Sequence, residues 1–397
     1  MNESPDELRL TAKTIYGLEE VLSFELKKLG ARDIELHNRA VSFTGDKGLI
    51  YKCNLHLRTA LRILVPIQKF EVQDEQSLYD GIKAIDWEEY MGVDDTLGID
   101  CVLNTPIFSH SLFIAQKAKD AIADQFRDRY NKRPSVDLAK PVLRIHILIY
   151  NNLCTVALDS SGESLHKRGY RDQVNLAPIN EVLAAGLVLL SGWNRSSNLI
   201  DPMCGSGTIL IEAALIAANI PPGYYKDDFG FMRWNRFLPY DAELWQRIYD
   251  AAIERIVEVS PNIYGGEISH NVARKAKENV KLAKVEDMVR IRECAMEEFE
   301  APEGGGVVIM NPPYGERMDK QDSNELYASM GDTFKKRFTG YDCWIISSNM
   351  EALKYVGLKS SRRIPVANGH LDCRFVKYEM YSGTKRVFKD KAEPTTD

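Results

Sequence analysis

Apolar and polar residues alternate from Leu8 to Thr14, then apolar residues recur at helical spacing from Gly17 to Leu29, where Gly30 closes the run. Alternation returns over 40–44, before the Gly45-Asp46 turn. A second unit of the same kind follows, extended over 61–70, helical over 77–85 and extended over 96–103. His110 to Tyr130 predicts a long amphipathic helix whose apolar positions are Leu112, Ile114, Ala118, Ile122 and Phe126. After it, 142–149 and 153–158 predict a hairpin around Asn151-Asn152. The first 160 or so residues therefore read as an α+β region with no catalytic constellation, a binding appendage rather than a second enzyme.

From about Pro178 the rhythm changes. A helix over 179–190, a short apolar strand over 198–200, a glycine turn and a helix over 208–218 follow one another. A strand ending at Glu267, a helix over 269–283, a strand over 288–292 and an apolar strand over 307–310 continue the series. Strands alternating with helices of this length predict a doubly wound, mostly parallel sheet, which binds ligands outside the carboxyl ends of its strands.

Two of those strand ends carry a ligand-binding signature. Asp201-Pro202-Met203-Cys204-Gly205-Ser206-Gly207-Thr208 lies between a strand and a helix. Glycines there allow close backbone approach, and the helix start offers free N–H groups. The turn lacks the Lys-Ser/Thr of a phosphate-gripping loop, so ATP is disfavoured. Glu267, ending the next strand, is placed to accept both hydroxyls of a ribose. Its separation from Gly207 exceeds the ~20 residues of a simple nucleotide unit and requires an insertion. Residues 221–245, aromatic, basic and bounded by proline, supply it, either as a loop at the active-site rim or as a surface excursion packed on its own aromatics.

A third strand end carries the chemistry. The apolar run 307–310 enters Asn311-Pro312-Pro313-Tyr314-Gly315-Glu316-Arg317. The lone pair of an exocyclic base amine is delocalised into the ring, so its nitrogen must become more tetrahedral to attack a methyl group. The Asn311 side-chain oxygen and the Pro312 carbonyl are placed to accept the two amine protons, Pro312 and Pro313 stiffen the turn, and Tyr314 offers a stacking face for an extruded base.

Composition narrows the partners. No stretch approaches the ~20 apolar residues of a membrane span, and the N-terminus lacks a basic region followed by an apolar run, so a soluble cytoplasmic protein with no membrane partner is expected. Seven scattered cysteines without a C-x-x-C pair argue against a metal site and a disulfide framework. With a net charge of −6, nucleic-acid affinity has to come from a local patch. Residues 117–144 hold eight Lys and Arg, among them Lys132 and Arg133, against four Asp, an excess of +4 that is either a phosphate track or a solvated helix face. His166-Lys167-Arg168-Gly169-Tyr170-Arg171 adds three more cations.

The combination of D-P-M-C-G-S-G-T, N-P-P-Y-G-E-R, L-H-K-R-G-Y-R, A-P-I-N-E-V-L-A-A-G and the P-P-G…F-G-F-x-R-W…D-A-E-L-W insertion resembles the THUMP-containing class I methyltransferases. Among these it is most similar to bacterial enzymes that methylate N2 of a guanine in large-subunit (23S) ribosomal RNA. The resemblance implies an α/β fold with a Rossmann-like seven-stranded methyltransferase sheet, preceded by an α+β half. The divisions it implies are a ferredoxin-like unit over 1–60, a THUMP domain over 61–163, a methyltransferase domain over 164–390 and a disordered tail over 391–397.

It further implies S-adenosylmethionine (SAM) as the only cofactor, with no metal, lying across Asp201, Pro202, Gly205, Ser206, Gly207 and Thr208, with its ribose on Glu267. Asn311 to Tyr314 are implied to hold the guanine amine, Asn311 also adjoining the cofactor. Where relatives often carry an Asp for the adenine amine this chain has Cys294, so the Ala295 N–H is expected to supply part of that contact. Arg171 and Arg317 are expected to touch RNA phosphates, to support the pocket or to form surface ion pairs. Ribosomal RNA or an assembly intermediate is the expected partner, with no obligate protein partner. The alternatives are a DNA adenine-N6 methyltransferase, disfavoured by the THUMP-like half, a protein glutamine methyltransferase, and a non-catalytic ribosome-assembly factor, disfavoured by the intact Asn311 to Tyr314 and favoured only if SAM shows no affinity.

Overall fold

The computed structural model describes residues 7–171, 178–260, 262–313 and 319–381. Tyr314, Arg317 and the tail expected to be disordered lie outside them.

Residues 8–159 build one eight-stranded sheet from β1 (Leu8–Lys13), β2 (Arg32–His37), β3 (Ala40–Gly45), β4 (Arg62–Glu71), β5 (Thr96–Asn104), β6 (Ser135–Val136), β7 (Leu143–Tyr150) and β8 (Leu153–Asp159). Their order is β2-β3-β1-β4-β8-β7-β5-β6. The two N-terminal units read from the sequence thus share one continuous sheet, joined where β4 pairs antiparallel with both β1 and β8. The hairpin closes at Asn151, whose φ of 53° suits Asn in a tight turn.

Four helices cover this sheet: α1 (Glu19–Leu29), α2 (Lys47–His56), α3 (Glu75–Lys83) and α4 (Ser111–Tyr130). Gly30 ends α1 in the left-handed conformation, and the Asp46 side chain starts α2 by accepting the Leu49 N–H. On α4, Ile114, Ala118, Ile122 and Phe126 are buried as expected. Leu112 is not: it is 71 % exposed, because it sits in the first turn, beyond the edge of the covered face.

Residues 198–379 form the second sheet, of seven strands: β9 (Asn198–Asp201), β10 (Ile263–Glu267), β11 (Val289–Glu293), β12 (Gly306–Met310), β13 (Tyr341–Ser347), β14 (Arg362–Asn368) and β15 (Leu371–Glu379). The order is β11-β10-β9-β12-β13-β15-β14, parallel from β11 to β13, with β15 antiparallel between β13 and β14. The buried runs β9 and β12 lie at its centre, as strands covered on both faces do. The helices of this half are α5 (Glu181–Leu190), α6 (Thr208–Ala217), α7 (Ala242–Ile253), α8 (His270–Leu282), α9 (Lys320–Arg337) and α10 (Ala352–Tyr355). No described helix is long and apolar enough to cross a membrane.

The insertion before α7 corrects both sequence expectations for it. It neither rims the ligand cavity nor packs only on itself: Phe229, Phe231 and Trp234 are buried in the core of the N-terminal half. Phe231 stacks on Tyr51 of α2 with ring centroids 4.2 Å apart. The Phe231 N–H donates to Ser160 O at 2.9 Å, and Arg233 donates to Pro141 O at 2.7 Å. The segment is a strap that fastens the C-terminal half to the N-terminal half.

A buried polar cluster completes the junction. Arg168, 1 % exposed, donates to Arg58 O at 2.6 Å and pairs with Glu212 of α6 at 3.4 Å, while the Tyr170 hydroxyl donates to the same Glu212 oxygen at 2.9 Å.

Candidate active site

The carboxyl ends of β9, β10 and β12 face a cavity of about 810 Å³, within the range of roughly 300–1,000 Å³ usual for small-molecule sites. Asp201, Pro202, Gly205, Ser206, Thr208, Glu267, Cys294, Asn311, Pro312 and Pro313 all line it. Residues far apart in sequence converge there because parallel strands with right-handed crossovers present all their carboxyl ends on one side.

The glycine turn has the geometry that its residues require. Gly205 and Gly207 adopt φ of 54° and 81°, and Gly207 caps α6. Gly265 and Gly266 on β10 are needed for a different reason: an added Cβ would lie 2.5 Å from Leu210 at the first and 2.9 Å from Phe299 at the second. Glu267 is fixed by two backbone donors, Gly205 N–H at 3.1 Å and Ser269 N–H at 2.9 Å, one to each carboxylate oxygen. Asp201 is 2 % exposed and accepts the Met203 N–H at 3.1 Å. Burial, reinforced by the nearby Glu267 carboxylate, pushes its pKa up to about 8 against the lowering effect of that hydrogen bond.

Asn311 follows β12, and its side-chain Oδ1 is buried without a hydrogen-bond partner among the described residues. A buried amide oxygen left unsatisfied costs about 1–3 kcal/mol, a penalty that a donor entering the site would relieve.

Sequence reasoning missed part of the wall. Ile268, Val272, Met296 and Glu297 line the cavity beside Cys294, whereas Ala295 does not. Asn368, Gly369, His370 and Leu371 line it from the β14–β15 turn, where Gly369 has a φ of 62°. The Asn-Gly pair was the available hairpin signal for that turn.

The cations fall elsewhere. Arg171 is directed inward: it donates to the Thr208 hydroxyl and pairs with Glu181 at 3.5 Å, bracing the start of α6. In 117–144 four of the cations pair with acids from other segments, two of which, Asp100 and Asp228, are shared with Arg62 and Arg233. Arg129 pairs with Asp86 and Glu88, Lys132 with Asp94, Arg144 with Asp100 and Lys140 with Asp228. Arg133 is exposed, and neither it nor Lys132 borders the cavity. No group of three His, Cys, Asp or Glu capable of holding a metal occurs among the described residues.

Residues 168–377 match the family described as RMKL-like, methyltransferase domain. The chain belongs to that family. Residues 9–64 match the RlmL ferredoxin-like domain and residues 72–159 the THUMP domain. A Synechocystis protein named as an RNA methyltransferase is 39 % identical over 93 % of this chain and 96 % of its own length. The Ribosomal RNA large subunit methyltransferase K/L of Syntrophotalea carbinolica is 37 % identical over 94 % of this chain, which spans only 54 % of that longer relative. The crystal structure of SMU.472, a methyltransferase-like protein complexed with SAH, superimposes with a TM-score of 0.84 at 29 % identity, covering 96 % of this chain and 100 % of that one. The C-terminal half is therefore a class I, SAM-binding methyltransferase fold, and the N-terminal half carries the ferredoxin-like and THUMP domains.

Proposed function

We propose that the chain transfers a methyl group from SAM to the exocyclic N2 amine of a guanine in large-subunit ribosomal RNA, in the cytoplasm. The observation that carries this reading is the buried, unpartnered Oδ1 of Asn311 at the wall of a cavity that also holds the glycine turn and Glu267. SAM supplies an electrophilic methyl group on a sulfonium.

The protein's own residues would do the rest. Gly205, where an added Cβ would meet nothing within 4 Å, leaves the turn open to the cofactor, and Glu267, held by two N–H donors, accepts from a ribose. Asp201 supplies negative charge once ionised, balancing a cofactor that carries a sulfonium and an ammonium. Asn311 Oδ1 and the Pro312 carbonyl accept the two amine protons, which favours a pyramidal nitrogen in the transition state over the planar one in the ground state. Tyr314 stacks on the extruded base and Arg317 steadies the approaching strand. The product ammonium gives its proton to water, so no strong base is needed.

A ribosomal RNA substrate is supported by the THUMP and ferredoxin-like domains and by the name of the Syntrophotalea relative, while the guanine amine rests on the resemblance carried by the sequence motifs. The domain divisions we propose are those at 60, 163 and 390. The test is incubation of the protein with labelled SAM and a 23S rRNA transcript, followed by nucleoside mass spectrometry. N2-methylguanosine is the expected product. N6-methyladenosine, or no transfer at all, would defeat the assignment.

A further inference from the structure

A second cavity, of about 1400 Å³, adjoins the first, and Pro178, Ile179 and Ser206 line both. Much of its wall is α8, where Lys275, Glu278, Asn279 and Leu282 fall at the three- and four-residue intervals of one helix face, with Lys281 and Lys284 beside them. The rest comes from 163–171 and the start of α5.

Charge pairing separates this cleft from the basic stretch at 117–144. Each acid that lines it already has a cation: Glu163 has Lys167 at 2.7 Å, Glu181 has Arg171 at 3.5 Å, and Glu278 has Arg274 at 3.4 Å. Arg168 is taken up by Glu212. Lys275, Lys281 and Lys284 are left with no carboxylate partner among the described residues. Three unmatched ammonium groups on one wall of a concave surface focus a positive field there. The cleft opens beside the cavity in which a base would be methylated, and a base pulled from its helix brings its flanking backbone to that mouth.

We propose that this cleft holds the phosphodiester backbone of the RNA strand flanking the target nucleotide, with Lys275, Lys281 and Lys284 neutralising its phosphates. The proposal rests on the reading of the chain as an RNA methyltransferase. It relocates the phosphate-binding track from 117–144 to the face of α8.

The experiment compares the full-length protein with the triple variant Lys275→Gln, Lys281→Gln, Lys284→Gln. Filter binding of a 23S rRNA transcript and of oligouridylate is measured at rising salt. Each lost single-strand phosphate contact lowers the slope of log K against log salt by ~0.7, so the triple variant is expected to lose about 2 from the slope and 10-fold or more in affinity at low salt. SAM affinity by calorimetry should be unchanged, which separates loss of RNA contact from loss of fold. The corresponding triple replacement by Arg should restore the slope. A triple variant that keeps the wild-type slope, while the wild type methylates the transcript, would overturn the cleft assignment alone. Wild-type protein that neither binds nor methylates the transcript would overturn the RNA reading, and the cleft assignment with it.

Discussion

Glu267 and Gly205 stand 62 residues apart in sequence, yet the Glu267 carboxylate accepts the Gly205 N–H at 3.1 Å. The end of β10 and the turn after β9 are thereby one unit, and the second carboxylate oxygen is taken by Ser269. Glu267→Gln cannot reproduce this, because one of the two N–H donors would face an NH₂ group. An unsatisfied donor costs roughly 1–3 kcal/mol, so the Kd for SAM should rise about tenfold or more in calorimetry. Wild-type affinity in this variant would show that the turn keeps its shape without Glu267.

Asp201 is expected to link cofactor binding to pH. Burial raises its folded pKa to about 8, well above the ordinary carboxylate value, so the folded protein holds a proton that the unfolded chain has released. The sign follows: Asp201 lowers stability progressively as pH rises from about 4 to about 8. Asp201→Asn should therefore raise stability at pH 8 by roughly 1–3 kcal/mol, and much less at pH 4, in urea titrations. Because a cationic cofactor favours the ionised carboxylate, SAM binding by the wild type should release protons below pH 8 and tighten as pH rises. Calorimetry in buffers of different ionisation heat reads that release. No proton release at pH 7 would mean that Asp201 is already ionised.

The Tyr51–Phe231 stack predicts coupling between the halves. Phe231→Ala removes a fully buried ring from the N-terminal core and should cost about 3–5 kcal/mol in denaturant unfolding. In a double-mutant cycle with Tyr51→Ala the interaction should be about 0.5–1.5 kcal/mol. A coupling of zero would mean that this stack contributes nothing to the joining of the two halves.

What was legible in the chain was the local grammar. Asp201 to Thr208, Glu267 and Asn311 to Pro313 are each a strand end followed by a turn, and a parallel sheet gathers such ends without further instruction. Features that depend on distant partners were not legible. β2, with no buried residue, is an exposed edge that periodicity does not mark, and α2 buries six of its ten residues and so shows no polar face. The cations of 117–144 looked unopposed because Asp86, Asp94, Asp100 and Asp228, which pair with four of them, lie outside the segment. Arg168 read as one more cation of a phosphate track because its partner Glu212 is 44 residues away.

Asn311 gives the most direct test of the chemistry. Its Oδ1 lacks a partner among the described residues, while the glycine turn and Glu267 are already satisfied by backbone contacts. As an acceptor of the amine protons this oxygen would gain most when the amine nitrogen becomes tetrahedral and its protons acquire positive charge. Asn311→Ala should therefore leave the Kd for SAM within about twofold while lowering kcat by roughly 10²-fold or more, the usual scale for loss of one transition-state hydrogen-bond partner. Asn311→Asp keeps an oxygen but adds a negative charge to a buried position, so it should retain more activity than the alanine variant only where that carboxylate is ionised, and its rate should climb with pH. Single-turnover methylation of a 23S rRNA transcript separates these effects from product release. A kcat near wild type in Asn311→Ala would place the decisive acceptor elsewhere, with the Pro312 carbonyl the remaining oxygen on the same turn.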